Sequence, residues 1–294
     1  MRRFSLSWRA GLWAMLLPYL AGMLLLVALP ALMSAVLAFT TFDALSPPVF
    51  VGFANFRLLA ADPIVTTAIG NALFFILLAV PLRILGALAL ALLLHRRRRG
   101  VSGYRAAVYV PTVIPDVAFA LIWLWIFNPL FGPVNMALGA LGLPTPGWLA
   151  DAETARYPFV IMSLFQIGEG FVVLLAALRG LPGEYFDAGA VDGAGRWASF
   201  RYLTLPLLMP WLALLTFRDV ILTFQWTFTP SFVMTGGDPY YSTLFLPLLI
   251  YEEAFDRFRF GAGSALMLVM FLLSAAIIMG IYLLFRKRGY VADV

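Results

Sequence analysis

Four charged residues, Arg83, Glu169, Arg218 and Asp219, stand inside long apolar stretches of this 294-residue sequence. A charge at the centre of a bilayer costs at least about 2.5–3.5 kcal/mol on insertion scales, so each of them needs a partner or a polar cavity. Glu169 and Arg218 have opposite signs and fall at similar depth, about 14 Å and about 20 Å in from the nearer ends of their stretches at 1.5 Å per residue. An ion pair between them is expected. Gln166 lies one helical turn from Glu169, and Gln225 and Trp226 lie two turns from Arg218. Amide hydrogen bonds and an indole face can hold a polar solute such as a sugar without covalent chemistry. Gln166, Glu169, Arg218, Gln225 and Trp226 are therefore read as the lining of a path through the membrane. The alternative for Glu169 and Arg218 is a purely structural pair. Arg83 has no evident partner in the sequence and is expected to face a pore or another subunit.

Covalent chemistry has little to work with. There is no cysteine, which excludes disulfides and thiolate metal sites, and His95 is the only histidine, so a His-rich metal site is not expected. The acids Glu252, Glu253 and Asp256 cluster without a base or metal partner in the sequence, which argues against a membrane-embedded enzyme. A phosphate-binding loop ending in Gly-Lys-Ser or Gly-Lys-Thr is missing, the sole lysine being Lys287. If ATP drives this protein, another chain must bind it. No cofactor is expected.

The elements that must position these residues are membrane helices. Hydrophobic residues make up 63% of the chain, charged residues 12%, and the mean hydropathy is +0.93. A soluble domain carries about 25% charge. Six runs reach the roughly 20 apolar residues that a spanning helix needs: Leu12 to Thr41, Thr67 to Leu94, Ala106 to Phe127, Pro158 to Leu178, Leu205 to Phe228 and Ala262 to Phe285. The expected class is all-α and polytopic, one transmembrane domain over residues 1–294 with core helices over about 67–285. The first run far exceeds the 7–15-residue apolar core of a signal peptide and is read as a retained helix. Arg2, Arg3 and Arg9 precede it. Arg96 to Arg99 and Arg105 follow the second run, Arg179, Arg196 and Arg201 follow the fourth, and Arg286, Lys287 and Arg288 follow the sixth. The opposite loops hold only Arg57, Arg156, Arg257 and Arg259. The positive-inside rule then puts both termini in the cytoplasm of a cytoplasmic (inner) membrane. This scattering argues against nucleic acid as a partner. Membrane lipid is an expected one, since Arg96 to Arg99 can meet anionic headgroups.

The connection between the fourth and fifth runs, residues 179–206, is longer than a helix hairpin needs. It reads as two short helices, about Glu184 to Val191 and Gly195 to Tyr202. Gly193 forms a left-handed corner that only a residue without Cβ takes at no cost, and Asp192 is the N-cap candidate for the second helix. In one of the outer loops, Val134 to Leu141 is expected as a short interfacial helix.

This connection resembles the EAA loop of the permeases of binding-protein-dependent ABC importers, whose signature is Glu-Ala-Ala, three residues, Gly, nine residues, then Ile-x-Leu-Pro. Asp187, Ala188 and Gly189 stand at the first three positions, Gly193 at the glycine, and Leu203, Leu205 and Pro206 at the end. Asp187, Gly189 and Leu203 depart from the signature. Phe50-Val-Gly-Phe-Ala-Asn-Phe56, Thr235-Gly-Gly-Asp-Pro239, Tyr251-Glu-Glu-Ala-Phe255 and Gly261 are similar to segments of the carbohydrate branch, the maltose and glycerol-phosphate types. The resemblance implies a type I (MetI-like) permease fold. It implies that Asp187, Ala188, Gly189, Asp192, Gly193, Leu205 and Pro206 couple to cytoplasmic ATP-binding subunits. It also implies a second permease subunit and an extracytoplasmic solute-binding protein. The rival is a secondary transporter or channel without ATP. It should show coupling-ion carboxylates and often an internal repeat, and it leaves the 187–206 loop unexplained.

Overall fold

The structure is a computed structural model that describes residues 8–96 and 99–287. Arg2, Arg3, Arg97, Arg98 and Arg288, on which part of the orientation argument rests, lie outside the described residues. Among the described residues, four helices are long and apolar enough to cross a membrane: Gly11–Leu37, Pro63–Leu94, Arg196–Thr235 and Phe260–Lys287. Two bent pairs, Val101–Val113 with Asp116–Ile126 and Arg156–Gln166 with Gly168–Gly180, bring the number to six if each is one span. We call these the first to sixth spans in chain order. Short two-residue strands, Thr40–Thr41 and Val49–Phe50, pair antiparallel after the first span.

The third span is not the single helix expected over Ala106 to Phe127. It bends by 100°. Pro115 has no N–H to continue the ladder and excludes the helical region at the residue before it. Ile114 is accordingly extended, at φ −70° and ψ 129°, after a 3-10 turn over Val110–Val113 that contains Pro111. The fourth span, expected as one helix over Pro158 to Leu178, bends by 42° at Ile167.

By contact the chain divides into two units. One comprises residues 1–62 and 250–269, the other residues 63–249 and 270–294. In the first, Asn55 of the Phe50–Phe56 motif donates from Nδ2 to the carbonyls of Ala38 and Thr40, both at 2.9 Å. Gly261 sits where a Cβ would collide with the Thr40 carbonyl, so its lack of a side chain is required by close approach. The acid cluster read from the sequence finds cations here. Glu253 is buried and pairs with Arg257 and, at 2.5 Å, with Arg259, while Glu252 lies 3.5 Å from Arg257. Glu252 and Glu253 are thus held in ion pairs, and Asp256 is exposed.

In the second unit the second span packs on the fourth and fifth. Its buried residues include Val65, Ala68, Ala72, Phe75, Ala79, Arg83, Ala87 and Ala91, a stripe at three- and four-residue spacing in which alanine is the commonest residue. Small side chains let helices approach closely, which is how membrane helices associate when lipid is as apolar as leucine. Ala87, Ala91, Phe171, Leu174, Leu208 and Leu215 form the core at one level, and Phe75, Phe159 and Phe245 form another. Between these two levels lies the charged site.

Candidate functional site: a membrane cavity and an exposed elbow

The expected pair forms: Arg218 Nη2 contacts Glu169 Oε2. It is one end of a longer chain of charges. Arg218 Nη1 donates to Asp219 Oδ1 at 3.1 Å, and Asp219 Oδ2 lies 3.4 Å from Arg83 Nε. Arg83 thus has a partner that the sequence did not suggest. The inner pair is buried, with side chains 9% and 5% exposed for Arg83 and Asp219. The outer pair is open, at 32% and 53% for Arg218 and Glu169. Two arginines and two carboxylates compensate one another, as charges at this depth must.

The open pair borders a cavity of about 310 Å³. All five residues expected on the path, Gln166, Glu169, Arg218, Gln225 and Trp226, line it. They come from the bend of the fourth span and the far half of the fifth. Arg83 lines it as well, and sequence reasoning missed three further lining residues: Leu222 of the fifth span, and Thr112 and Asp116, which flank the break in the third span. Asp116 carried the same signal as the other four, a charge inside an apolar run. Trp226 is held by stacking on Phe75, with centroids 5.6 Å apart and ring planes at 24°. The arrangement can hydrogen-bond and stack a polar solute. It contains no nucleophile–base pair.

The elbow follows the fourth span. Its first helix, Gly183–Val191, agrees with the expectation within a residue. It ends in a Schellman motif, with Ala194 N–H donating to Gly189 C=O at 2.8 Å and Gly193 N–H to Ala190 C=O at 3.1 Å. Gly193 has φ +76°, the left-handed corner read from the sequence. Asp192 does not cap the second helix. It is the C-cap residue of the first, and Gly195 precedes the second. Nor is the second helix separate. Arg196–Ser199 runs through a π turn at Phe200–Thr204 into Leu205–Trp226, so the fifth span is helical from Arg196 to Thr235. The Leu205 N–H bonds Phe200 C=O across the π turn. Pro206 sits at the start of the following α segment, where a missing N–H is tolerated. Asp187, Ala188, Asp192 and Gly193 are exposed, as are Val191 at 88% and Trp197 at 73%, while Leu205 and Pro206 are half-buried at the root of the span.

Two of the three departures from the EAA signature touch. A Cβ at Gly189 would lie 2.9 Å from Leu203 Cδ1. Leucine at 203 thus fills the place that an alanine methyl at 189 would take. Gly189→Ala alone sets the roughly 1 kcal/mol that Ala gains over Gly inside a helix against overpacking on the Leu203 side chain, so it is expected to fall short of that full gain. Gly189→Ala with Leu203→Ile should be more stable than the sum of the singles by at least about 0.5 kcal/mol. Tryptophan-fluorescence melting of the purified protein measures the cycle; additive effects would refute the compensation.

A helical, multi-span protein with a polar cavity between its helices and a rigid exposed elbow is a membrane transport subunit. The chain belongs to the family of binding-protein-dependent transport system inner membrane components, whose model matches residues 83–288. It is 32% identical over 262 residues to a probable ABC transporter permease protein of Pyrococcus horikoshii, covering 86% of this chain and 87% of that one. It is 30% identical over 281 residues to a probable starch degradation products transport system permease of Thermoanaerobacterium thermosulfurigenes, covering 94% of each. Among solved structures it is similar to a bacterial ABC transporter involved in the import of the acidic polysaccharide alginate. The TM-score is 0.81 at 23% identity, over 94% of this chain and 95% of that one, a likeness of fold. The chain is therefore an inner-membrane permease subunit of an ATP-binding-cassette importer, with the type I, MetI-like fold. Nothing in these comparisons favours a transporter working without ATP.

Proposed function

We propose that this permease passes a sugar or related polar solute inward, driven by ATP-binding subunits in the cytoplasm. The observation that carries the reading is the fifth span. The same helix begins at the exposed elbow and carries Arg218, Gln225 and Trp226 to the cavity. From Arg196 to Arg218 is about 33 Å at 1.5 Å per residue. A push on the Asp187–Gly193 corner is thereby delivered to the cavity lining by a continuous rod. Asp187, Ala188, Gly189, Asp192 and Gly193 form the docking surface, and Leu205 and Pro206 root it in the membrane. Gln166, Glu169, Arg218, Gln225 and Trp226 form this chain's side of the path.

Both termini are cytoplasmic in this reading, which puts the elbow on the same side as the basic clusters. The two units serve one permease domain over residues 1–294. A second permease subunit supplies the facing half of the path, and an extracytoplasmic solute-binding protein loads it. Amides and an indole at the cavity support a saccharide, and so does the relative named for starch degradation products.

The test is affinity purification of the tagged chain from its native membrane in mild detergent, with mass spectrometry of its companions. A chain with a phosphate-binding loop and a second membrane subunit are expected. Recovery of this chain alone, still transporting after reconstitution, would refute coupling to ATP.

A further inference from the structure

We infer that the cavity takes an uncharged, hydroxyl-rich solute, and that Asp116 determines this specificity by accepting hydrogen bonds from the solute's hydroxyls. The inference rests on the transport reading above and narrows it.

The argument starts from what is already spent. Both guanidiniums at the cavity are matched: Arg218 by Glu169 and Asp219, Arg83 by Asp219. A phosphate or carboxylate entering here finds no uncommitted cation and would have to break a chain of ion pairs to obtain one. Asp116 is different. It is exposed at the cavity, and among the described residues it has neither an ion-pair partner nor a hydrogen-bond partner. The matched network is neutral, so Asp116 leaves this wall of the cavity with one excess negative charge. That repels an anion.

Next comes what is unspent. The side-chain amides of Gln166 and Gln225 have no hydrogen-bond partners among the described residues, and both line the cavity. Each amide offers donors and an acceptor. Asp116 offers acceptor oxygens only. A polyol or sugar hydroxyl is donor and acceptor together and can satisfy all three residues. An anion meets only the donor half of each amide and is opposed by Asp116. A cation satisfies Asp116 and leaves half of each amide idle. The matching chemistry is a neutral ring bearing several hydroxyls, laid near Trp226.

Asp116 also opens the helix Asp116–Ile126, where a carboxylate favours the positive end of the helix dipole. Asn keeps the size and one acceptor oxygen but loses the charge, worth about 0.3–1 kcal/mol at the helix terminus, so a melting curve of the variant measures the helix effect beside the uptake effect.

The experiment uses the complete importer, with its partner chains and binding protein, in proteoliposomes. ATP-driven uptake is measured with maltose, trehalose and glycerol as neutral probes, glycerol 3-phosphate and glucuronate as anions, and glucosamine as a cation. Wild type should prefer a neutral probe. Asp116→Asn should raise the apparent KM for that probe by at least about tenfold, as expected for loss of one charged hydrogen bond, and narrow its advantage over the anions. Asp116→Glu should restore part of both. The binding protein is unchanged throughout, so these differences belong to the permease. Preference of the wild type for an anion or for glucosamine would overturn the inference, and so would Asp116→Asn transporting like wild type. Failure of the importer reading itself would show separately, as the absence of an ATP-binding chain from the purified complex.

Discussion

Asp219→Ala is expected to destabilise this permease more than any other single side-chain deletion at the cavity. Arg83 is 8% exposed and Asp219 4%. Removing one member of a buried ion pair leaves the other charge without compensation, a loss of about 3–5 kcal/mol. Asp219 serves two arginines, so its loss also leaves Arg218 with Glu169 alone. Glu169 cannot take over, because it reaches Arg218 on the open side and no ion pair joins it to Arg83. The expected result is a large drop in the amount of folded protein recovered from the membrane and a lowered melting point by tryptophan fluorescence. Replacing both partners, Arg83→Met with Asp219→Leu, removes the unpaired charge and should regain a large part of the loss. If the double variant melts no higher than the worse single, the pair is not what holds these helices together. The outer Glu169–Arg218 pair should behave differently. Half-exposed pairs are worth about 0–1 kcal/mol at a surface, so its value lies at the cavity rather than in the fold.

That contrast bears on what the sequence could reveal. The six apolar runs were legible because span length is set by bilayer thickness alone. The buried face of each run was not. In the second span almost every residue is apolar, so hydrophobic periodicity carries no direction. What marks the buried face is residue size, through the alanines at 68, 72, 79, 87 and 91. Arg83 falls on this stripe, four residues from Ala79 and Ala87, and that register already indicated burial. Its partner is 136 positions away on another helix, and no local pattern links them. The Glu169–Arg218 pair was accessible because depth along two runs can be counted from their ends.

The elbow was legible for the opposite reason: its geometry is local. A glycine at a left-handed corner and a signature of fixed spacing need no distant contact. The errors there came from reading residues one at a time. Asp192 has a good N-cap side chain, but the Schellman bonds to Gly193 and Ala194 close the first helix around it. Gly195 to Tyr202 reads as a helix apart from the run that starts at Leu205, yet the π turn over Phe200–Thr204 joins them, and the chain continues as one helix. The continuity matters more than either detail, since it joins the elbow to the cavity. The break in the third span was signalled by Pro115. Its consequence, the placing of Thr112 and Asp116 at the cavity, depends on the fourth span that packs beside it.

Gly168→Ala tests that packing and is expected to have the second largest effect. A Cβ at Gly168 would lie 2.8 Å from Thr112 Cγ2, 2.9 Å from Tyr109 Cα and 3.0 Å from Val108 O. Only the first of these neighbours is a side-chain end. The other two are backbone, so relief requires the third and fourth spans to separate. Overpacking of this kind costs about 1–3 kcal/mol. The functional cost should exceed the stability cost because of where the strain falls. Val108 to Thr112 lead into the bend that orients Asp116, and Gly168 itself stands between Gln166 and Glu169. A shift of a few tenths of an ångström moves both walls of the cavity at once. Uptake by the complete importer should fall by at least about tenfold, the factor that about 1.4 kcal/mol of lost interaction represents. The complex should still assemble with its partner chains. Thr112→Ala added to Gly168→Ala removes the methyl contact but not the backbone ones, so it should return only a small part of the activity. Full recovery in the double variant would mean that the methyl alone sets the spacing; normal uptake in Gly168→Ala would mean that the approach of these two spans does not govern the cavity.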